Sequence, residues 1–252
     1  MRGGNSSKAS RRPSPLTPTL SPRKCKDRER GKKRPMPPTV KICGLKTADA
    51  MQTALDERVD FVGLVFFTKS PRNVQIEAAR PLADMARGRA MVVALVVDAD
   101  DALISEIVAK VNPDMLQVHG DEPPARVAEL KARFGTPIIK AIKVETAADA
   151  VRALDYREAA DMILFDAKPP KTADRPGGHG ATFDWRMLDH VRNRIPFMLS
   201  GGLTSANVAA AIEATSAAAV DVSSGVETAP GIKCPDLIRQ FIRAARGAAV
   251  AQ

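Results

Sequence analysis

The chain has 252 residues, 44% of them hydrophobic, three cysteines and a formal net charge of +9. That length suits one large domain or two small ones, and no apolar stretch approaches the ~20 residues needed to cross a bilayer. Cys25, Cys43 and Cys234 form no CxxC or Cys/His pairing, which excludes a disulfide framework and a zinc site and points to a reducing, cytoplasmic compartment.

The charge is uneven. Residues 1–35 hold 12 Lys or Arg against only Asp27 and Glu29, leaving 26 basic and 27 acidic groups for the rest of the chain. The nearly neutral remainder gives no reason to expect a nucleic-acid or membrane partner. Residues 1–38 are rich in Ser, Pro, Arg and Lys and contain no aromatic side chain, so a disordered basic tail is expected. Three readings of it compete. A nucleic-acid arm would carry aromatic groups to stack on bases. An organelle transit peptide would be amphipathic, whereas Lys24 to Arg34 is a dense mixed-charge block. The third reading, a start placed too early, is favoured. Met36 stands just before the first strand, and Ser14 to Arg23 resembles a translated bacterial intergenic repeat. On any of the three, the tail should be dispensable for folding.

From Thr39 onward, strand-like runs alternate with helix-like stretches, the sequence form of repeated βα units. The first strand spans Thr39 to Cys43, with a helix from about Thr47 to Arg58 and Thr47 as its N-cap. The second, Phe61 to Phe66, is followed by a loop through Ser70-Pro71-Arg72-Asn73 and a helix ending near Gly88. Pro81 either kinks that helix or starts it. Met91 to Val97 is the third strand, with a helix over Ala102 to Lys110. Met115 to Val118 is the fourth and leads into His119-Gly120, before a helix over Pro123 to Phe134. Ile138 to Ile142 and a helix over Ala147 to Leu154 form the fifth unit. The sixth strand, Met162 to Phe165, runs into Asp166. A long loop with Gly177-Gly178-His179-Gly180 and a short helix around Trp185 to Arg192 follow it. Ile195 to Leu199 and Ala217 to Val222 are the last two strands, with helices over Asn207 to Ala214 and Pro235 to Arg246. Repeats of this length predict an α/β fold, a closed (βα)8 TIM barrel forming a single domain over 39–252. No GxGxxG follows the first strand, which removes the main case for a doubly wound dinucleotide fold.

Active-site groups in such barrels come from the C-terminal strand ends and the loops after them. Ser200-Gly201-Gly202-Leu203 and the turn Ser223-Ser224-Gly225 follow the seventh and eighth strands. Together they read as one phosphate cradle, made by glycine backbone and by N–H groups at helix starts. Cys43 is either a small buried hydrophobe or a thiol serving as nucleophile or general base. Asp166 emerges from four apolar residues, where a carboxyl group needs a partner or a task. General-acid work fits it, and an N-cap or loop-ordering role is the alternative. Arg72 carries a fork that matches a carboxylate, or is a solvated loop arginine. His119 and Asp221 complete the mouth, each with a plain hydrogen-bonding alternative. Strands one and six lie three steps apart around the ring, a Cα separation of roughly 14 Å. That spacing suits an acid and a base on opposite sides of a sugar-sized molecule.

The motifs Lys41-Ile42-Cys43-Gly44-Leu45, Phe61 to Phe66, Ser70-Pro71-Arg72 and Leu116-Gln117-Val118-His119-Gly120 resemble the phosphoribosylanthranilate isomerase family of tryptophan biosynthesis. Gly177 to Trp185, Leu199 to Leu203 with Asn207-Val208, and Val220 to Glu227 with Pro230 to Lys233 continue the likeness in the family's order. The resemblance implies a cofactor-free Amadori rearrangement of a phosphorylated sugar substrate by a monomer or homodimer. Carried over, Asp166 would be the general acid, Cys43 the general base, and Arg72 the group binding the anthranilate carboxylate. Gly201, Gly202, Ser223, Ser224 and Gly225 would hold the phosphate, and His119 and Asp221 would line the pocket. The chain departs from the family pattern at His179, at Ser205-Ala206 before Asn207, and at Cys234-Pro235, where the last helix could start differently. The rival reading within the same fold, a metal-dependent epimerase, needs histidine ligands that His119, His179 and His190 are badly placed to supply.

Overall fold

The strands are close to uninterrupted apolar runs, which is what a parallel sheet needs when both of its faces are covered. Strand β2, Phe61–Phe66, is buried at every position. In the computed structural model, which describes residues 37–168, 180 and 182–248, these runs close into a ring. Its members are β1 (Thr39–Cys43), β2, β3 (Met91–Val96), β4 (Met115–Val118), β5 (Ile138–Val144), β6 (Met162–Ala167), β7 (Phe197–Leu199) and β8 (Ala219–Val222). All neighbours pair in parallel. The ring is sealed where Lys41 of β1 registers with Asp221 of β8. The described part is therefore the expected (βα)8 barrel. The basic tail and His179 lie outside the described residues.

Helices α1 (Ala48–Asp56), α2 (Ile76–Ala86), α3 (Asp101–Val111), α4 (Pro124–Phe134), α5 (Ala147–Val151), α6 (Val208–Thr215) and α7 (Pro235–Ala248) wrap the ring. Thr47 caps α1 by accepting from the Ala50 N–H at 3.4 Å. Helix α2 runs through Pro81 rather than starting at it. Cys234-Pro235 places α7 where it was expected. The fifth and sixth units differ from expectation. Helix α5 is one capped turn, and Arg152–Tyr156 continues it as a 3-10 segment. Only a 3-10 turn, Trp185–Leu188, stands where a short helix was expected before β7. A hairpin that periodicity did not reveal, β9 (Glu227–Ala229) with β10 (Ile232–Lys233), lies between β8 and α7.

Side chains alternate between the barrel interior and the helices. Phe61, Val93, Met115, Ile139, Ala141, Leu164, Met198 and Ala219 form one apolar cluster inside the ring. Two residues further along their strands come Gly63, Gln117, Asp166, Ser200 and Asp221, which share that inward face. Cys43 joins Val65 and Leu95 in a smaller inner cluster, and Lys41, two positions before Cys43, shares its direction. Polarity therefore rises toward the C-terminal end of the barrel. Lys140 faces the other way and is nonetheless buried. Its ammonium donates to the Gly120 carbonyl at 2.8 Å and to Glu122 at 2.7 Å. Glu122 in turn accepts from the Gly120 and Asp98 N–H groups, at 3.2 and 2.9 Å. This outer ion pair fixes the turn that follows His119.

Candidate active site

Three clusters meet at the mouth. The first grows from the seam between β1 and β8. Lys41, with no exposed surface, donates to Asp221 Oδ1 at 2.8 Å, and Ser200 Oγ donates to Asp221 Oδ2 at 3.1 Å. Burial alone would pull the Lys41 ammonium down, but Asp221 and then Cys43 hold it above the usual lysine range. Burial pushes the Cys43 thiol up, and the Lys41 cation offsets part of that rise. The Cys43 carbonyl accepts from Ser223 Oγ at 3.1 Å, which ties β1 to the turn after β8.

The second cluster crosses from β4 to β6. Gln117 Nε2 lies 3.0 Å from His119 Nδ1, and His119 Nε2 lies 3.2 Å from Asp166 Oδ2. An amide N–H facing Nδ1 puts the ring proton on Nε2, where it is donated to Asp166. The other Asp166 oxygen accepts from the Ala167 N–H at 2.9 Å. Gln117 Oε1 is buried without a partner among the described residues, so its amide is held by the histidine.

The third cluster holds Arg72. Its Nε and Nη2 donate to the two oxygens of Glu227, each at 2.8 Å, and Arg72 is only 4% exposed. It is not the solvated loop arginine of the plain alternative. Burial raises the Glu227 carboxyl, yet the bonds from Arg72 and Lys233 outweigh it and keep it below the usual glutamate range. Lys233 Nζ donates to Glu227 at 2.7 Å and to the Ser223 carbonyl at 2.9 Å. The hairpin turn at Gly231 makes this packing possible. Gly231 has φ +80, and a Cβ there would stand 2.4 Å from the Pro71 carbonyl.

The two glycine turns expected to form a phosphate cradle are present, but they are not the starts of long helices. Helix α6 begins only at Val208, and the turn after β8 is a three-residue 3-10 segment, Ser224–Val226. The turns themselves offer the donors. Among the described residues, no protein acceptor takes the backbone N–H of Gly201, Gly202 or Ser224. A Cβ on Gly225 would stand 1.9 Å from the Leu203 carbonyl, so the two turns touch backbone to backbone.

Ser223 links Cys43 to the Lys233–Glu227–Arg72 chain, and Lys41 links Cys43 to Asp221. His119 meets Asp166 directly. No hydrogen bond joins the Cys43 cluster to the Asp166 cluster among the described residues, and their strands β1 and β6 stand three steps apart in the ring. Lys41, Gln117, Glu227 and Lys233 join these clusters without having been expected there. Strand alternation was the available signal for the first two, since a lysine and a glutamine at inward positions of a barrel need partners.

In parallel (βα)8 barrels the active site stands at the C-terminal strand ends, frequently with a phosphate site in the loops after the seventh and eighth strands, where this barrel has its titratable groups and its two glycine turns. Residues 40–244 match the family described as N-(5'-phosphoribosyl)anthranilate (PRA) isomerase. An N-(5'-phosphoribosyl)anthranilate isomerase of Rhodopseudomonas palustris (strain BisB5) is 57% identical over 207 residues, 82% of this chain and 95% of the relative. One of Nitrobacter hamburgensis is 54% identical over 211 residues, 84% of this chain and 94% of the relative. The crystal structure of the Thermotoga maritima phosphoribosyl anthranilate isomerase has a TM-score of 0.76 at 37% identity, covering 83% of this chain and 99% of that one. A phosphoribosyl anthranilate isomerase in complex with reduced 1-(o-carboxyphenylamino)-1-deoxyribulose 5-phosphate has a TM-score of 0.73 at 34% identity, with the same coverage. The chain belongs to the N-(5'-phosphoribosyl)anthranilate isomerase family.

Proposed function

We propose that the barrel of this chain isomerises N-(5-phosphoribosyl)anthranilate in tryptophan biosynthesis by general acid–base catalysis between Asp166 and Cys43. Membership of the family carries the reaction. The separation of the two side chains on opposite walls of the mouth supports their roles. Asp166 gives its proton to the furanose ring oxygen as the C1′–O bond breaks, leaving a Schiff base. The Cys43 thiolate then takes the C2′ proton, and the resulting enolamine tautomerises to the ketone. One proton enters and one leaves, so no cofactor is required by the chemistry. His119 donates to the carboxylate that Asp166 becomes. Gly201, Gly202 and the Ser223-Ser224-Gly225 turn hold the phosphate, and Asp221 acts through Lys41.

Arg72 takes the anthranilate carboxylate, with Glu227 fixing the plane of its guanidinium. Arg72→Lys is expected to raise KM by about 10- to 100-fold with a smaller change in kcat, because a point charge replaces a planar fork that binds substrate and transition state alike. A fall in kcat at unchanged KM would place Arg72 in the chemistry instead.

Residues 39–252 form the catalytic domain, and the basic segment before it takes no part. The enzyme is cytoplasmic, works on a small phosphorylated substrate without nucleic acid or membrane, and is a monomer or homodimer. Among the described residues no helix is long and apolar enough to cross a membrane. One of the similar Thermotoga maritima structures is described as monomers derived from a dimeric enzyme. The test is steady-state turnover of phosphoribosylanthranilate by the full chain and by a chain starting at Met36. Equal kcat/KM is expected. A folded, inactive short chain would move function into the basic segment, and no turnover by either chain would remove the assignment.

A further inference from the structure

A buried lysine two residues before the thiol is not explained by substrate binding. Lys41 points into the barrel, lies wholly out of water and is bonded to Asp221. The strand neighbour of Cys43 across β2 is a glycine, and this is what lets the ammonium and the sulfur share one space. A Cβ at Gly63 would lie 3.0 Å from Cys43 Sγ and 3.2 Å from Lys41 Nζ. Strand register places Gly63 directly opposite Cys43. Any other residue there would push a methyl group against both the sulfur and the ammonium.

We propose that Lys41 is a positioning residue whose ammonium stabilises the Cys43 thiolate as it forms, and that Asp221 sets how much of the ammonium's charge the sulfur receives. Sulfur and carboxylate compete for one cation. With Asp221 bonded, the charge is shared, so the thiol keeps enough basicity to take a proton from carbon. A thiolate that leaned on the ammonium alone would form more readily but be a weaker base. The charged groups facing Cys43 are Lys41 on its own strand, Asp221 on β8 and Lys233 on β10; β2 contributes no charge, only Gly63 and Val65. Lys233 is already engaged by Glu227 and the Ser223 carbonyl, whereas Lys41 has one carboxylate partner, Asp221. Burial pushes the thiol up and Lys41 draws it back, in keeping with this division. The consequence for turnover rests on Cys43 being the base; the ammonium's pull on the sulfur does not.

The test is an ultraviolet thiolate titration of the full chain carrying Cys25→Ser and Cys234→Ser, so that only Cys43 reports. Lys41→Met is expected to move the Cys43 titration up by about 1–3 pH units, the size expected for losing an adjacent opposite charge. Asp221→Asn should move it down by about one unit, because it removes a like charge and releases the ammonium to the sulfur. Lys41→Arg should restore most of the Lys41→Met shift. Shifts of the same sign in Lys41→Met and Asp221→Asn, or no shift, overturn the proposal. Should Lys41→Met not fold, the direction of the Asp221→Asn shift decides alone, and an upward or absent shift is fatal. Turnover by Cys43→Ala separates the two claims. If it stays near normal while the titration shifts as expected, the thiol is not the base but the cation still holds it.

Discussion

Asp166→Asn is expected to lower kcat by about 10²- to 10⁴-fold, with KM changed far less and the fold intact. The amide keeps the shape of the carboxyl group and can still accept from the Ala167 N–H, but it has no proton to give to the ring oxygen. A residue that helps only in the transition state shows its loss in kcat. Cys43→Ala should fall by a similar factor for the complementary reason, since the Schiff base would form and wait for a base. The measurements are steady-state kinetics alongside circular dichroism and thermal unfolding of each variant. Rapid turnover by Asp166→Asn would return Asp166 to the loop-ordering role, for which the bonds to Ala167 and His119 would then be the whole explanation. The double variant should be little worse than the single ones, because a reaction stalled at ring opening gives the thiol nothing to act on.

Gly225→Ala should produce the second large effect, by a steric route. The added Cβ would fall 1.9 Å from the Leu203 carbonyl oxygen and 3.0 Å from its carbon. Both are backbone atoms held by Asn207, whose amide donates to the Gly202 carbonyl at 3.0 Å and accepts from the Thr204 N–H at 2.8 Å. Neither turn can give without breaking the other. Overpacking of this kind costs about 1–3 kcal/mol, and separating the turns should raise KM for the phosphorylated substrate by about 10-fold or more. Gly247→Ala is the control. Nothing lies within 4 Å of a Cβ there, and it sits in α7, where alanine is the better helix former. Urea unfolding and KM for both variants check this; a normal KM in Gly225→Ala would dissociate the cradle from phosphate binding.

The outward-facing half of each strand was open to reading from sequence, because a covered parallel sheet requires apolar residues that stand out against the helices between them. So were the positions of Cys43, His119, Asp166 and Asp221, since a polar group at the end of an apolar run marks a barrel mouth. The glycines of both turns are legible in the sequence, but the sequence does not show that α6 starts only at Val208 or that the second turn forms no more than a 3-10 segment. The weak helical pattern after β6 predicts a helix because apolar spacing does not separate a 3-10 turn from a short α-helix.

What the sequence determined by itself was the order of the βα units, and through it the ends of the strands where chemistry could stand. Which groups are partners was decided only by closure of the ring. Lys41 and Asp221 are 180 residues apart and meet because β1 must pair with β8. Arg72 and Glu227, 155 residues apart, meet because Gly231 lets a hairpin lie against the Arg72 loop. Periodicity reports which face of its own element a side chain occupies. It carries no information about which distant element will face it, and the charge felt by the Cys43 thiol depends on that neighbour.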